Sequence, residues 1–315
     1  MSGSAANGIP AGPLGGGALV VVGDVVTDVV AVHAEPLAPA TDTAARIRIL
    51  PGGAGANAAC WAARADPVAG HGAAEVRLLA RVGEEWAGWH ERALAAAGVR
   101  AHLVVDPVEP TGAVVALVDK AAERTFLTDS GAALRLCPAD WDPALLDGAA
   151  HLHLSGYLYF AESSRELAAL ALGSARARGV PVSVDPASAG FLATVGVKRF
   201  LAAADGASVL LPNEDEARLL AGREDVAAAA AALSRRFPLV VVTRGAAGAL
   251  VAERGAVTAE VPGEPARAVD STGAGDAFTG GFLAARLAGA PPVAAARAGC
   301  RAGALAVARL GGRPV

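Results

Sequence analysis

Ala18-Leu-Val-Val-Val-Gly23 is an unbroken apolar run, rich in valine, that stops at a glycine. A half-exposed strand alternates apolar and polar residues, whereas an unbroken run belongs to a strand covered on both faces. Similar runs recur at Val76–Val82, His151–Ser155, Val180–Asp185, Ser208–Leu211 and Leu239–Thr243. Helical patterns lie between them, over Asn57–Ala65, Ala87–Ala97, Glu162–Arg178, Asp215–Ala221, Asp225–Arg236, Ala277–Ala288 and Val293–Arg309. Strand alternating with helix predicts an α/β fold with a doubly wound, mostly parallel sheet flanked by helices. Such sheets bind ligands at the carboxyl ends of their strands.

Val29–Leu50 and Ala113–Thr128 break the rhythm, having strand character with no helix between their pieces. Thr111–Asp119 followed by Arg124–Thr128 reads as a hairpin turning at Lys120–Glu123. These strands are expected to leave the main sheet and form a small β lid over its ligand end. The 315 residues show no repeat and no interdomain linker, so residues 18–315 read as one domain with a lid. Met1–Gly17, rich in Gly, Ala, Ser and Pro, reads as a flexible tail and lacks the pattern of a signal peptide.

Composition narrows the function classes. Hydrophobic residues make up 53% and charged residues 18%, enough for a large core and too little charge for a disordered chain. Mean hydropathy is +0.42, yet no apolar run approaches the ~18 residues of a membrane span. The 27 basic residues are scattered under a net charge of −4, which argues against a nucleic-acid or anionic-membrane surface. Cys60, Cys137 and Cys300 are isolated and read as small buried hydrophobes of a reducing compartment. A cytoplasmic protein acting on a small molecule is the expectation.

The stretch Val269-Asp-Ser-Thr-Gly-Ala-Gly-Asp-Ala-Phe-Thr-Gly-Gly281 carries the chemistry. Gly273-Ala274-Gly275 stands before a helical pattern, where small residues let backbone N–H groups converge on an anion. Asp276 follows at once. A carboxylate beside an anion hole makes sense if it takes a proton from a hydroxyl that attacks a phosphoryl group. The same residues also suit a simple helix cap, and four residues alone do not separate the two readings.

With Asp270 and the Phe278/Gly280 pattern attached, this stretch resembles the C-terminal signature of the PfkB (ribokinase-like) family of sugar and nucleoside kinases. Pro51-Gly-Gly-Ala-Gly-Ala-Asn-Ala-Ala59 is similar to the family's N-terminal signature, over 200 residues earlier and in the order the family shows. The resemblance implies an ATP-dependent kinase of a primary hydroxyl, with Asp276 as base and Gly273, Ala274 and Gly275 as the anion hole. It implies substrate contacts at Asp28, Gly53 and Asn57. Leu211-Pro-Asn-Glu-Asp-Glu-Ala217 resembles the family's element for indirect Mg²⁺ holding, with Asn213 and Glu216 at its ends; a solvated acidic helix start explains the same residues. Val242–Ala249 looks like the nucleotide-binding turn, with Asn213, Thr243, Gly245 and Gly248 toward ATP, although an ordinary glycine turn reads the same way. A monovalent cation, K⁺, is implied at Asp270, Thr272, Ala306, Arg309 and Gly311, with a further ligand position near Val315, where a valine stands in place of a small hydroxyl residue. Pairing of lids into a homodimer is implied as well.

Departures from the family bear on substrate. Ala54 stands where ribokinases carry lysine, and Val26 where they carry asparagine before Asp28. Ribose, 2-keto-3-deoxygluconate, fructose, adenosine and pseudouridine all remain candidates, so a nucleoside or pseudouridine kinase is an alternative. So is a catalytically silent sugar-binding regulator on the same fold. A dehydrogenase is disfavoured, because Gly23-Asp-Val-Val-Thr-Asp28 supplies no G-x-G-x-x-G after the first strand. Tyr157, Tyr159 and Phe160 suit either a ring-stacking wall or the core. His151 and His153, sharing a strand face, read as core residues.

Overall fold

The structure is a computed structural model that describes residues 17–64, 75–120 and 124–314. The expected tail at Met1–Gly17 therefore lies almost wholly outside the described residues, as do most of the Lys120–Glu123 turn and Val315.

The central sheet is built from β1 (Ala18–Val22), β4 (Val76–Gly83), β5 (Val99–Asp106), β8 (Ala149–Ser155), β9 (Val182–Asp185), β10 (Val209–Leu210), β11 (Leu239–Thr243), β12 (Ala249–Glu253) and β13 (Ala256–Val261). They run in the order β13-β12-β11-β10-β9-β8-β1-β4-β5. The strands from β11 to β5 pair in parallel, while β12 and β13 close one edge antiparallel. Alternate residues of one strand feed opposite cores. Val20 and Val22 pack with Leu154, Val184, Phe200 and Leu233 on one face. Leu19 and Val21 pack with Ala59, Leu78, Phe282 and Ala295 on the other. Burial on both sides is why these runs carry no polar alternation.

The first face is covered by α3 (Glu162–Ala177), α4 (Ala189–Val195), α5 (Val197–Ala203), α6 (Glu214–Ala221) and α7 (Val226–Leu233). The second is covered by α1 (Ala54–Ala63), α2 (Glu84–Ala96), α8 (Ala274–Leu287) and α9 (Pro292–Val307). Alanine and glycine let α1, α8 and α9 approach closely. A Cβ on Gly280 would lie 2.5 Å from the Ala58 carbonyl oxygen, and one on Gly281 would lie 2.7 Å from the Ala302 Cβ. This is the structural use of an alanine-heavy, aromatic-poor composition.

The second sheet is the expected lid: β3 (Ala45–Gly52), β2 (Val26–His33), β6 (Thr111–Val118) and β7 (Arg124–Gly131), in that order. It begins at Val26 and runs on to Gly131, somewhat wider than the 29–50 and 113–128 expected. Register places Leu50, Asp28, Val114 and Thr128 in one cross-strand row. The neighbouring row, Ile49, Val29, Val115 and Leu127, faces the other way.

Three features differ from the sequence-based expectation. Asp28 lies within lid strand β2, just ahead of the Val29 at which the lid was expected to begin, because Asp24-Val25 makes the turn immediately. Strands β5, β12 and β13 were not expected; β5 and β13 are the edge strands, where one side is open and continuous hydrophobicity is not required, while β12 is a five-residue, largely apolar strand buried between β11 and β13. Helices α4 and α5 were also missed, being seven residues each and divided at Gly196.

Candidate functional site

A cavity of about 500 Å³ lies between the carboxyl ends of the central strands and the lid. The sheet contributes Asp24 after β1, Tyr157 after β8, Asp185 at the end of β9, Asn213 after β10 and Thr243 at the end of β11. The lid contributes Asp28, Phe126 and Thr128. The start of α8 contributes Gly273, Gly275 and Asp276. Convergence at strand ends follows from the sheet being parallel: every strand delivers its terminal side chain to the same side.

Asp276 occupies the first turn of α8, directly after Gly273, which is left-handed at φ 73°. A Cβ there would lie 2.5 Å from the Gly312 Cα, so glycine is required on both counts. The Asp276 carboxylate accepts a hydrogen bond from Asn57 Nδ2 at 2.8 Å. Asn57 comes from α1, so the two sequence motifs meet at this contact. Removal from bulk water pushes the Asp276 carboxyl up to about 8, with the carboxylates of Asp185, Asp24 and Asp28 adding to the rise against the lowering Asn57 bond. Asn57 Oδ1 is buried without a partner. Gly53 and Asn57 both line the cavity, as expected from the sequence. Of the proposed anion hole, Gly273 and Gly275 line it, while the Ala274 N–H turns toward the Ser271 carbonyl at 3.3 Å.

Asp24 was not singled out from the sequence. Its carboxylate accepts from the N–H groups of Ala54 (2.8 Å) and Gly55 (3.1 Å), and from the Ser155 hydroxyl at 3.1 Å. It thus anchors the N-terminus of α1 with a negative charge, where the helix dipole favours one. The chain enters that helix through Gly53 at φ 100°. Asp185 was also missed. It accepts from the Ala187 N–H (2.8 Å) and the Thr279 hydroxyl (3.2 Å), and burial pushes it up to about 6. Ala187, on the cavity wall, takes φ 71°, a strain of roughly 1–2 kcal/mol for a residue with a Cβ.

Asp28 is buried and pushed up to about 7 by burial, partly offset by Arg313. Arg313 is the third residue the sequence did not reveal. Its Nη2 donates to the Gly52 carbonyl at 2.8 Å, while Nε and Nη1 are buried without partners. Gly52 packs directly on the Asp28 carboxylate. The preceding Gly312 carbonyl accepts from Trp61 Nε1 at 2.9 Å. Residues 311–313 therefore form a strap beneath Asp28, Asn57 and Gly273.

Asn213 and Glu216 form a reciprocal cap on α6. Asn213 Oδ1 accepts from the Glu216 N–H (2.9 Å), and the Glu216 carboxylate accepts from the Asn213 N–H (2.9 Å) and Nδ2 (2.8 Å). Glu216 is only 2% exposed, so the solvated-acid reading fails for it and holds for Glu214 and Asp215 alone. Burial and the charge of Asp185 push Glu216 up to about 8. A divalent cation would relieve these crowded acids, and both lining residues carry oxygens suited to it.

Thr243 lines the cavity, but Gly245 and Gly248 lie off its wall. Gly248 is at φ 94° and packs against the Val261 carbonyl, so its role is to reverse the chain between β11 and β12. Around Asp270, the carboxylate accepts from the Thr272 N–H (2.8 Å) and the Gly311 N–H (2.9 Å), while the Ala306 carbonyl accepts from Arg309. The five residues suggested for a monovalent cation are thus brought together beside the cavity, whose wall Thr272 reaches. His151 and His153 are buried, both bonding Ser183 Oγ at 2.9 Å, and burial pushes each down to about 3. Tyr159 is fully buried, whereas Tyr157 faces the cavity.

Residues 17–314 match the model of the pfkB family of carbohydrate kinases. The chain belongs to this family. It is 34% identical to fructokinase from Klebsiella pneumoniae over 85% of this chain and 84% of that one. Its fold is similar to adenosine kinase from Sinorhizobium meliloti (TM-score 0.84, 20% identity, 95% of this chain and 96% of that one). It also matches an E. coli protein described as ribokinase II, solved with ATP and Mg²⁺ (TM-score 0.80, 24% identity, 94% of each chain). As a pfkB kinase the chain is a phosphotransferase with an alcohol acceptor. The silent-regulator alternative finds no support in the family match or in these relatives. No helix among the described residues is long and apolar enough to cross a membrane.

Proposed function

We propose that this chain transfers the γ-phosphoryl group of ATP to a primary hydroxyl of a sugar or nucleoside. The observation that carries the reading is the Asp276 carboxylate, held at 2.8 Å by Asn57 at a glycine-flanked helix start and lining the same cavity as Asp28. Asp28 and Asn57, with the close approach allowed at Gly53, orient the acceptor. Asp276 takes the hydroxyl proton as the oxygen attacks phosphorus and the bond to ADP breaks. N–H groups of Gly273 and Gly275 at the start of α8 meet the charge on the phosphoryl oxygens. Asn213 and Thr243 face the donor, with Gly245 and Gly248 shaping the turn behind it. Asn213 and Glu216 would hold hydrated Mg²⁺ near the phosphates, where it neutralises their charge. K⁺ among the carbonyls beside Asp270, Thr272, Ala306, Arg309 and Gly311 is part of the same reading, as is a cytoplasmic location.

General-base help contributes ~10²–10⁴-fold. Asp276→Asn should therefore lower kcat at least about a hundredfold while leaving the ATP Kd nearly unchanged, measured by ADP release and calorimetry. Near-normal turnover would refute the assignment. The reading also includes a homodimer: the outward lid row of Ile49, Val29, Val115 and Leu127 is apolar, and Ile49 and Leu127 are exposed.

A further inference from the structure

We propose that the acceptor is an uncharged nucleoside, whose pentose lies on Asp28 and Asn57 and whose planar ring lies against Tyr157 and Phe191. The inference rests on the kinase reading above and adds the substrate class. Two independent observations carry it.

The first is an aromatic wall. Tyr157, Phe160 and Phe191 form one cluster, with Phe160 and Phe191 stacked at 4.7 Å and Tyr157 edge-on to both, at 5.4 and 5.9 Å. Tyr157 and Phe191 line the cavity, and Phe191 remains 37% exposed. Across from them, Phe126 enters from the lid, 49% exposed and lining the same cavity. Tyr157 stands among the site's acids: besides burial, the carboxylates of Asp24, Asp276, Asp185 and Glu216 push its phenol upward. A bare pentose or hexose would use the carboxylates and leave these ring faces in water. A ring attached to the sugar covers them, and stacking rewards planarity.

The second is charge. Apart from the Tyr157 phenol, the ionisable side chains among the described lining residues are all acids: Asp24, Asp28, Asp185, Glu216 and Asp276. Arg313 lies behind Gly52 and off the wall. An aldonic acid or a sugar phosphate would bring negative charge among carboxylates, with no cation among the described lining residues. A neutral acceptor avoids that cost.

Calorimetry with a non-hydrolysable ATP analogue present tests the inference, using inosine, uridine, pseudouridine, D-ribose, D-fructose and D-gluconate. At least one nucleoside should bind about ten- to a hundredfold more tightly than ribose, and gluconate should bind least. Phe191→Leu should shrink the nucleoside-to-ribose ratio about tenfold. Ribose, fructose or gluconate binding as tightly as every nucleoside overturns the inference, as does a panel in which no nucleoside binds. A loss of affinity for the ATP analogue in Phe191→Leu, with the nucleoside ratio unchanged, assigns the rings to the donor and also overturns it. ADP release decides the kinase reading separately. Faster turnover of ribose or fructose than of every nucleoside sinks the substrate class alone. A protein that binds nucleosides and phosphorylates no acceptor sinks the kinase reading and leaves the ring wall standing.

Discussion

The base role proposed for Asp276 draws on surroundings that make its carboxyl a poor acid. Held near 8, it is protonated in much of the free protein at neutral pH. Measured at subsaturating ATP, kcat/KM should rise with pH through about 8 and then level. The same shift has a cost in stability. A carboxyl whose folded pKa lies above its ordinary 3.8 stabilises the fold most at low pH, and that contribution is lost as pH rises through about 8. Asparagine never ionises. The melting temperature of Asp276→Asn should therefore exceed that of the native chain by a margin that widens from pH 5 to pH 8.5; a constant margin would show that Asp276 is not held in its neutral form. Arg313 works in the opposite sense, its charge lowering Asp28 against burial. Arg313→Gln should raise the acceptor KM about tenfold with a smaller change in kcat, since the proposed reading has Asp28 bind the acceptor and Asp276 take the proton. Equal loss in kcat and unchanged KM would move Arg313 out of that role.

Among elements, α1 and α8 set the distance that matters. Asn57 and Ala58 are neighbours on α1, and Gly280 on α8 packs against the Ala58 carbonyl one turn from Asp276. Gly280→Ala would gain ~1 kcal/mol in helix propensity. Its Cβ, however, would meet Ala58 backbone at 2.5 Å and the Trp61 Cβ at 2.6 Å, and such overpacking costs about 1–3 kcal/mol. A lower melting temperature is expected, with kcat reduced by up to about a hundredfold as Asn57 shifts from Asp276. Full activity in a destabilised variant would separate packing from catalysis. The central strands and both glycine motifs were legible because their causes are local: two-sided burial leaves a continuous apolar run, and close backbone approach leaves glycine. Asp24, Asp185 and Arg313 were not legible, because the contacts that tie them to the site reach 30, 94 and 261 residues along the chain, to Ala54, Thr279 and Gly52. The two readings of Glu216 could not be separated in the sequence for a related reason. Nothing in Leu211–Ala217 distinguishes an acid turned into a cavity from its exposed neighbours.

At the scale of the whole molecule, two sheets divide the labour. The central sheet supplies strand ends, and the four-stranded lid covers them with one face. Its other face is apolar, with Ile47 61% and Ile49 51% exposed. If that face meets a second copy, Ile49→Asp should halve the mass seen by light scattering; a native chain that already scatters as a monomer removes the dimer from the reading. The catalytic pair, by contrast, rests on alanine and glycine contacts between helices, atoms that have no rotamers to change. The lid's share of the proposed acceptor contacts, Asp28 and Phe126, is carried by side chains on a thin ribbon that can be redrawn one position at a time. A lineage built this way can exchange its acceptor by editing the cover while the proton-abstracting machinery stays where it is.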